Sequence, residues 1–91
     1  MAEVVALEGK LDLAAVGPLH AALSKHAGKD VVLDLEKVTH IGALCVQTCI
    51  AAARQAKSSG TMFDIQNASD HLLVQLNWMG LTPEDIEEGV Q

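Results

Sequence analysis

The stretch Val31-Val32-Leu33-Asp34-Leu35 decides the fold class of this 91-residue chain. It is a nearly continuous apolar run that opens with two valines, which is the composition of a strand buried inside a sheet. After a short connection, residues 43–58 contain many alanines and neither Gly nor Pro, and their apolar residues recur at helical spacing. A buried strand followed by a long helix predicts an α/β domain.

Elements of the same two kinds alternate on the amino-terminal side. Residues 4–7 and 10–13 predict one strand with a kink between its halves, where a glycine interrupts the pattern. Residues 15–27 predict the first helix, and a glycine follows it as a stop signal. We expect residues 38–41 to form an extended link, because this run is too short for a further strand.

The carboxyl-terminal part continues the alternation. Residues 61–66 predict a strand, and Asn67 or Ser69 can cap a third helix that ends at Gly80. Thr82 followed by a proline and two acids predicts the start of a short fourth helix. The third helix is expected to turn its apolar residues inward, namely Leu72, Leu73, Leu76 and Met79.

These elements predict a small α/β sandwich in which a mixed, mostly parallel β-sheet packs with about four helices. The length fits a single domain over residues 1–91, with residues 1–3 and 83–91 expected to be mobile. The apolar fraction of 49% excludes disorder as the default. Since there is neither an apolar run of about 20 residues nor a signal-peptide pattern, we expect a cytoplasmic protein without membrane insertion.

The charge distribution narrows the range of possible binding partners. A net charge of −6 argues against nucleic acid and anionic membranes, which attract clustered Lys and Arg. Lys57 is the last Lys or Arg of the chain. The residues after it carry only acidic charges: Asp64, Asp70, Glu84, Asp85, Glu87 and Glu88. This segment is either a solvated acidic surface or a device that steers the protein toward a basic partner.

The chain offers few groups for catalysis or metal binding. Cys45 and Cys49 share one face of the predicted helix and are expected to be small buried thiols. The histidines are scattered over separate elements, at positions 20, 26, 40 and 71. No nucleophile elbow, phosphate-binding loop or metal-spaced histidine pair accompanies them. We therefore predict no catalytic residue, no metal and no cofactor.

Several phrases resemble the STAS domain, the fold of bacterial anti-sigma-factor antagonists. Residues 7–12 resemble its opening phrase, and residues 32–41 its central strand with the loop that follows. Residues 63–69 and 79–81 resemble its later strand and the end of its third helix. The resemblance covers about residues 4–81, and it implies a regulatory module that binds other proteins.

The sequence departs from that family in two ways. Many STAS domains have a further strand ahead of the Gly9 turn, and this chain is expected to start too late to include it. We therefore expect an open sheet edge that is covered by a loop or by a second subunit, and an edge-paired or helix-paired homodimer is a hypothesis. In the antagonists, a kinase phosphorylates a serine at the start of the second helix. The matching positions are Gly42, Ala43 and Leu44, which have no hydroxyl group. The resemblance therefore does not carry a phosphorylation switch to this chain, and Thr39 and Thr48 are the nearest alternative phosphoacceptors.

A docking patch at the start of the second helix is the main functional hypothesis. Its predicted residues are His40, Gly42, Ala43, Leu44, Gln47, Thr48 and Ala51. In the alternative interpretation, Leu44 enters the core and His40 is an ordinary loop residue. The resemblance implies a protein partner such as an anti-sigma kinase, a sensor histidine kinase or another signalling protein. It also permits a structural subunit that braces an ATPase in a lipid-transport complex.

Overall fold

Strand β2 (Val31–Ile41) is the centre of the sheet in the computed structural model, which describes residues 2–89. It pairs in parallel with β1 (Glu3–Leu11) on one side and with β3 (Phe63–Gln66) on the other. The prediction of a mostly parallel sheet is confirmed, and all strands within the described residues are parallel. Because β3 pairs only with Val31 to Asp34, the carboxyl half of β2 has a strand neighbour on one side alone among residues 2–89.

Four α-helices complete the architecture within residues 2–89: α1 (Val16–Lys25), α2 (Ala43–Ser59), α3 (Asp70–Trp78) and α4 (Pro83–Glu87). A 3-10 turn, Leu13–Ala15, precedes α1. Helix α2 packs against α1, α4 and β3, whereas α3 packs mainly against β2. The prediction of about four helices is therefore confirmed.

Two of the predicted helix caps are present. Ser69 caps α3, and its hydroxyl oxygen accepts a hydrogen bond from the Leu72 N–H over 3.2 Å. Thr82 caps α4 in a reciprocal arrangement in which its hydroxyl accepts from the Asp85 N–H and the Asp85 carboxylate accepts from the Thr82 N–H. These bonds satisfy backbone donors that the first turn of a helix leaves unpaired.

The core lies between the sheet and the helices. Alternate residues of β2, namely Val31, Leu33 and Leu35, are buried, as the two-residue period of a strand requires. Helix α2 contributes the largest share from any helix, with Cys45, Val46, Cys49, Ile50 and Ala53 all buried. Both cysteines are free and buried, which confirms that prediction. No polar or charged residue is buried in the described part of the chain.

Two boundary predictions are wrong. Residues 38–41 belong to β2, because the chain stays paired with β1 through register shifts between Ala6 and Glu8 and between Gly9 and Lys10. β1 ends at Leu11 and does not reach residue 13. Instead, the Asp12 carboxylate accepts from the Ala14 N–H and starts the 3-10 turn.

The predicted orientation of α3 is only half right. Leu72 and Leu76 are buried, but Leu73 and Met79 remain exposed. The physical reason is that α3 rests on the protein along one narrow stripe, so the apolar residues beside that stripe reach solvent.

The predicted mobility of the two ends falls partly on Met1, Val90 and Gln91, which lie outside the described residues. Within the described part, Ile86 of α4 is buried against the core. None of the helices in residues 2–89 has the length and apolar character needed to cross a membrane.

Candidate docking site

The end of β2 and the start of α2 are fixed to the end of β1. The Gly42 N–H donates to the Leu11 carbonyl oxygen over 2.8 Å, and the Cys45 thiol lies 3.5 Å from the Asp12 carbonyl oxygen. Gly42 occupies the cap position of α2 in an extended conformation and supplies no side-chain hydrogen bond. A Cβ atom at this position would lie 3.3 Å from the Leu11 oxygen, which is a tight contact.

The start of α2 presents an apolar side chain to solvent. Leu44 is 55% exposed, so the alternative in which it enters the core is wrong. Ala43, Gln47 and Ala51 are also exposed, whereas Thr48 is half-buried and its hydroxyl donates to the Leu44 carbonyl oxygen over 2.8 Å. The structure thus places the predicted patch residues of α2 on one outward face. The Thr48 hydroxyl is already used within the helix.

A second exposed leucine was missed by the sequence reasoning. Leu13 in the 3-10 turn is 75% exposed, and this turn packs against α2. Since the hydrogen bonds of Gly42 and Cys45 hold the two segments together, Leu13 and Leu44 lie at the same end of the molecule. We call the surface formed by Leu13, Ala43 and Leu44 the docking edge. Little in the sequence indicated that Leu13 lies at the surface, because residues 10–13 matched the pattern of a strand.

A shallow groove of about 70 Å³ continues the exposed face of α2. Its walls come from α1 through His20 and Ser24, and from α2 through Thr48, Ala51 and Gln55. Thr48 and Ala51 were predicted as patch residues, whereas the α1 residues were not. The volume is too small for a drug-sized ligand, for which pockets of roughly 300–1,000 Å³ are usual, but it suits a protruding side chain.

His40 lies near the end of β2 and contacts Gln75 of α3. The Gln75 amide oxygen accepts from the Ile41 N–H over 2.9 Å. Because that oxygen faces a donor, the amide nitrogen faces the His40 Nδ1 at 3.0 Å and the His71 Nε2 at 3.3 Å. Strand β3 pairs with β2 only as far as Asp34, so it supplies no acceptor for the Ile41 N–H further along β2. The Gln75 side chain supplies that acceptor instead, in the role that a neighbouring strand would have. The His40 side chain is therefore exposed, and its contact with the Gln75 amide holds it in place.

The two cysteine thiols near the site have raised pKa values and therefore low reactivity. Burial raises the pKa of Cys49 to about 12, and burial together with the nearby Asp12 charge raises the pKa of Cys45. Since the thiolate is the reactive form of cysteine, these residues behave as core side chains. Within the described residues, no group of three or more His, Cys, Asp or Glu side chains could hold a metal ion.

The fold and the site define a class of small α/β domain in which the start of the second long helix is exposed at one end of a parallel sheet. The family model described as "Mlab, STAS domain" matches residues 1–86, and the chain belongs to this STAS-domain family. The resemblance to the STAS domain is thereby confirmed. STAS domains are in general non-enzymatic regulatory modules that mediate protein–protein interactions.

Among solved structures, this chain is similar to a sulfate transporter family protein from Wolinella succinogenes, with a TM-score of 0.71 and 20% sequence identity. The alignment covers 87% of this chain and 66% of the other chain, so this chain spans less than two thirds of that protein's length. At this identity the likeness shows the fold alone. The search of curated proteins found no match.

Proposed function

We propose that this STAS domain is a non-enzymatic regulatory module in bacterial signal transduction and that it binds a protein partner through the docking edge. The observation that carries this proposal is the exposure of Leu44 at the start of α2, at the same end of the molecule as the exposed Leu13 of the 3-10 turn. Exposed apolar side chains that lie together at a fixed edge are typical of protein contact sites. His40, Gln47, Thr48 and Ala51 would form the polar and small surroundings of this contact.

The regulation is expected to differ from the serine switch of the antagonists. A phosphate adds about two negative charges and disrupts an interface packed on it. Gly42, Ala43 and Leu44 have no group that accepts phosphate. Partner concentration or another signal would then control binding, with Thr39 and Thr48 as the alternative phosphoacceptors. Thr39 is the better of these two, because it is exposed whereas the Thr48 hydroxyl is hydrogen-bonded.

The proposed partners are an anti-sigma kinase, a sensor histidine kinase of a chemotaxis system, or a similar signalling protein, and they imply a cytoplasmic location. A homodimer, paired through a sheet edge or through helices, also stays a prediction. Light scattering at high micromolar protein concentration tests it, and a monomer mass would remove it.

A charge substitution on the docking edge tests the main proposal. Leu44→Arg is expected to weaken binding of the purified kinase encoded nearest to this gene by about tenfold or more, since burying a leucine is worth roughly 1.5–3 kcal/mol. Titration calorimetry measures the affinity, and circular dichroism checks that the variant is folded.

Met62→Arg is the matched control, because Met62 is also exposed but lies before β3 at the opposite end of the sheet. Loss of affinity in Leu44→Arg alone supports the docking edge. Equal affinities for both variants would place the contact elsewhere and contradict the proposal. Incubation with the kinase and ATP, followed by intact mass measurement, separates the two threonines when combined with Thr39→Ala and Thr48→Ala.

The second candidate function is a structural STAS subunit that braces an ATPase in a lipid-transport complex. The absence of a hydroxyl group at positions 42–44 favours it, because a permanent brace needs no phosphate switch. Gene neighbourhood and co-purification distinguish the two functions. A stable stoichiometric complex with a transporter ATPase favours the brace, whereas a weak, reversible complex with a kinase favours signalling.

A further inference from the structure

Helix α3 carries an exposed apolar row that no other element covers within residues 2–89. Val74 is 46% exposed and Trp78, the only tryptophan of the chain, is 80% exposed. The two residues are four positions apart, so their side chains lie one above the other on the helix. Leu73 and Met79 are exposed on either side of them. We call Val74 and Trp78 the α3 row.

This row is not needed to hold α3 in place. The helix is anchored by Leu72 and Leu76, which are buried, and by the hydrogen bonds of Gln75 to β2. A tryptophan buries about 150–250 Å² when it is covered, so leaving it in water forgoes a large hydrophobic gain. Tryptophan is also the residue type most enriched among those that dominate binding at protein interfaces.

The charged residue that shares helix α3 with the row is acidic: Asp70 is the only Asp, Glu, Lys or Arg of α3. Asp70 is exposed four positions before Val74 and therefore continues the same line along the helix. The chain as a whole is also acidic, with a net charge of −6 and no Lys or Arg after Lys57. An apolar anchor with acidic surroundings complements a surface that presents Lys or Arg beside apolar side chains.

We propose that the α3 row is a second docking surface and that its occupant is a basic, amphipathic helix of a partner protein. It is separate from the docking edge around Leu44 and does not depend on that edge. A second copy of this chain is a poor occupant, because each copy carries a net charge of −6 and the facing surfaces would both be acidic.

The fluorescence of Trp78 provides the readout for the test. The chain has one Trp and no Tyr, so selectively excited fluorescence comes from this row alone. The probe is a designed amphipathic helix of Leu and Lys, and the control is the same design with Glu in place of Lys. We expect the Leu/Lys peptide to shift the Trp78 emission to shorter wavelength in a saturable way and to protect it from acrylamide. The Leu/Glu peptide is expected to leave the emission unchanged.

A pair of variants separates specific docking from simple charge attraction. Val74→Asp and Met62→Asp make the same change of charge at two exposed apolar residues, the first on the α3 row and the second outside both docking surfaces. Attraction to an acidic protein alone would strengthen peptide binding in both variants. Docking on the α3 row predicts that Val74→Asp weakens binding by about tenfold or more, while Met62→Asp retains it. Circular dichroism confirms that both variants are folded.

Several results would overturn the proposal. They are no fluorescence change with the Leu/Lys peptide, an equal change with both peptides, or unchanged affinity in Val74→Asp. A concentration-dependent blue shift of the protein without peptide would identify a second copy as the occupant instead. Loss of affinity in Met62→Asp as well as in Val74→Asp would likewise contradict docking on the α3 row. A failed Leu44→Arg test with the kinase would count against the docking edge alone, because that variant leaves the α3 row unchanged.

Discussion

Helices α2 and α3 use their apolar residues in opposite ways. The long helix α2 buries a broad stripe from Cys45 to Ala53 and exposes a single large apolar residue, Leu44. The shorter α3 buries only Leu72 and Leu76 and exposes the α3 row with its apolar neighbours. A helix in the middle of the core contributes mainly to stability, whereas a helix attached at one side leaves part of its apolar surface exposed to solvent.

The largest expected effect is a truncation in the core face of α2. Ile50 is fully buried, so Ile50→Ala removes apolar contacts and leaves a cavity, at a cost of about 2–5 kcal/mol in the free energy of unfolding. Urea unfolding followed by circular dichroism measures this change. The cost is a large share of the roughly 5–15 kcal/mol that stabilises a typical domain.

Val74→Ala is the matched truncation on the exposed side of α3. It is expected to change the free energy of unfolding by no more than about 0.5 kcal/mol, because Val74 has little to lose in the folded chain. A similar cost for the two truncations would show that α3 is packed as tightly as α2, and the comparison would fail.

The next effect concerns the attachment of α3 to the sheet. Gln75→Ala removes the acceptor of the Ile41 N–H, and an unsatisfied part-buried donor costs about 1–2 kcal/mol. Gln47→Ala on the exposed face of α2 is the control and should be nearly neutral. Hydrogen exchange of the Ile41 amide gives a local readout, and it should accelerate in Gln75→Ala beyond the global change. Unchanged exchange would mean that another group holds α3.

The two helices also differ in how they start. Ser69 caps α3 with its side chain, whereas Gly42 gives α2 no such bond. Ser69→Ala is expected to cost about 1 kcal/mol, and Ser69→Asp should restore most of it, because aspartate is an equally good cap. Thermal unfolding of the three proteins checks the order. An unaffected Ser69→Ala would show that packing alone fixes the first turn of α3.

The sequence predicts what depends on local pattern. The alternation of strands and helices, the extent of α2, the buried thiols and the caps Ser69 and Thr82 all follow from spacing and residue type within a few positions. The STAS assignment follows from the order of such local phrases. These features are set by neighbours in the chain, so one sequence is enough to find them.

Features that depend on distant contacts were missed. Residues 38–41 looked too short to be a strand, because the pairing with β1 that extends β2 involves register shifts which no local pattern shows. Gln75 gave no signal, since its partner Ile41 lies far away in the sequence. The apolar pattern of α3 also could not tell which of its residues would meet a partner element, and hence Leu73 and Met79 were placed inside.

The smallest expected effect concerns a second side chain that accepts a hydrogen bond from an edge N–H of the sheet, as Gln75 does for β2. On α4, the Glu87 carboxylate accepts from the Ile65 N–H of β3 over 2.7 Å. Burial and the neighbouring Asp64 carboxyl raise the pKa of Glu87 above its ordinary value of 4.5, while the bond with Glu87 is the main cause that lowers the pKa of Asp64. In contrast to the neutral amide of Gln75, this edge contact is therefore sensitive to pH.

The sign follows from proton binding. Between the ordinary and the raised pKa of Glu87, the folded chain holds more protons than the unfolded chain, so stability from this group falls as the pH rises through that window. Glu87→Gln keeps a carbonyl oxygen for the Ile65 N–H and removes the titration. We expect this variant to match or slightly exceed wild-type stability at pH 7 and to lose that advantage near pH 4. Thermal unfolding across this range measures the difference, with the exposed Glu88→Gln as control. A Glu87→Gln protein that is clearly less stable than wild type at pH 7 would show that the carboxylate charge itself holds β3. In that case α4 would hold its strand through a charged contact, whereas α3 holds β2 through a neutral hydrogen bond.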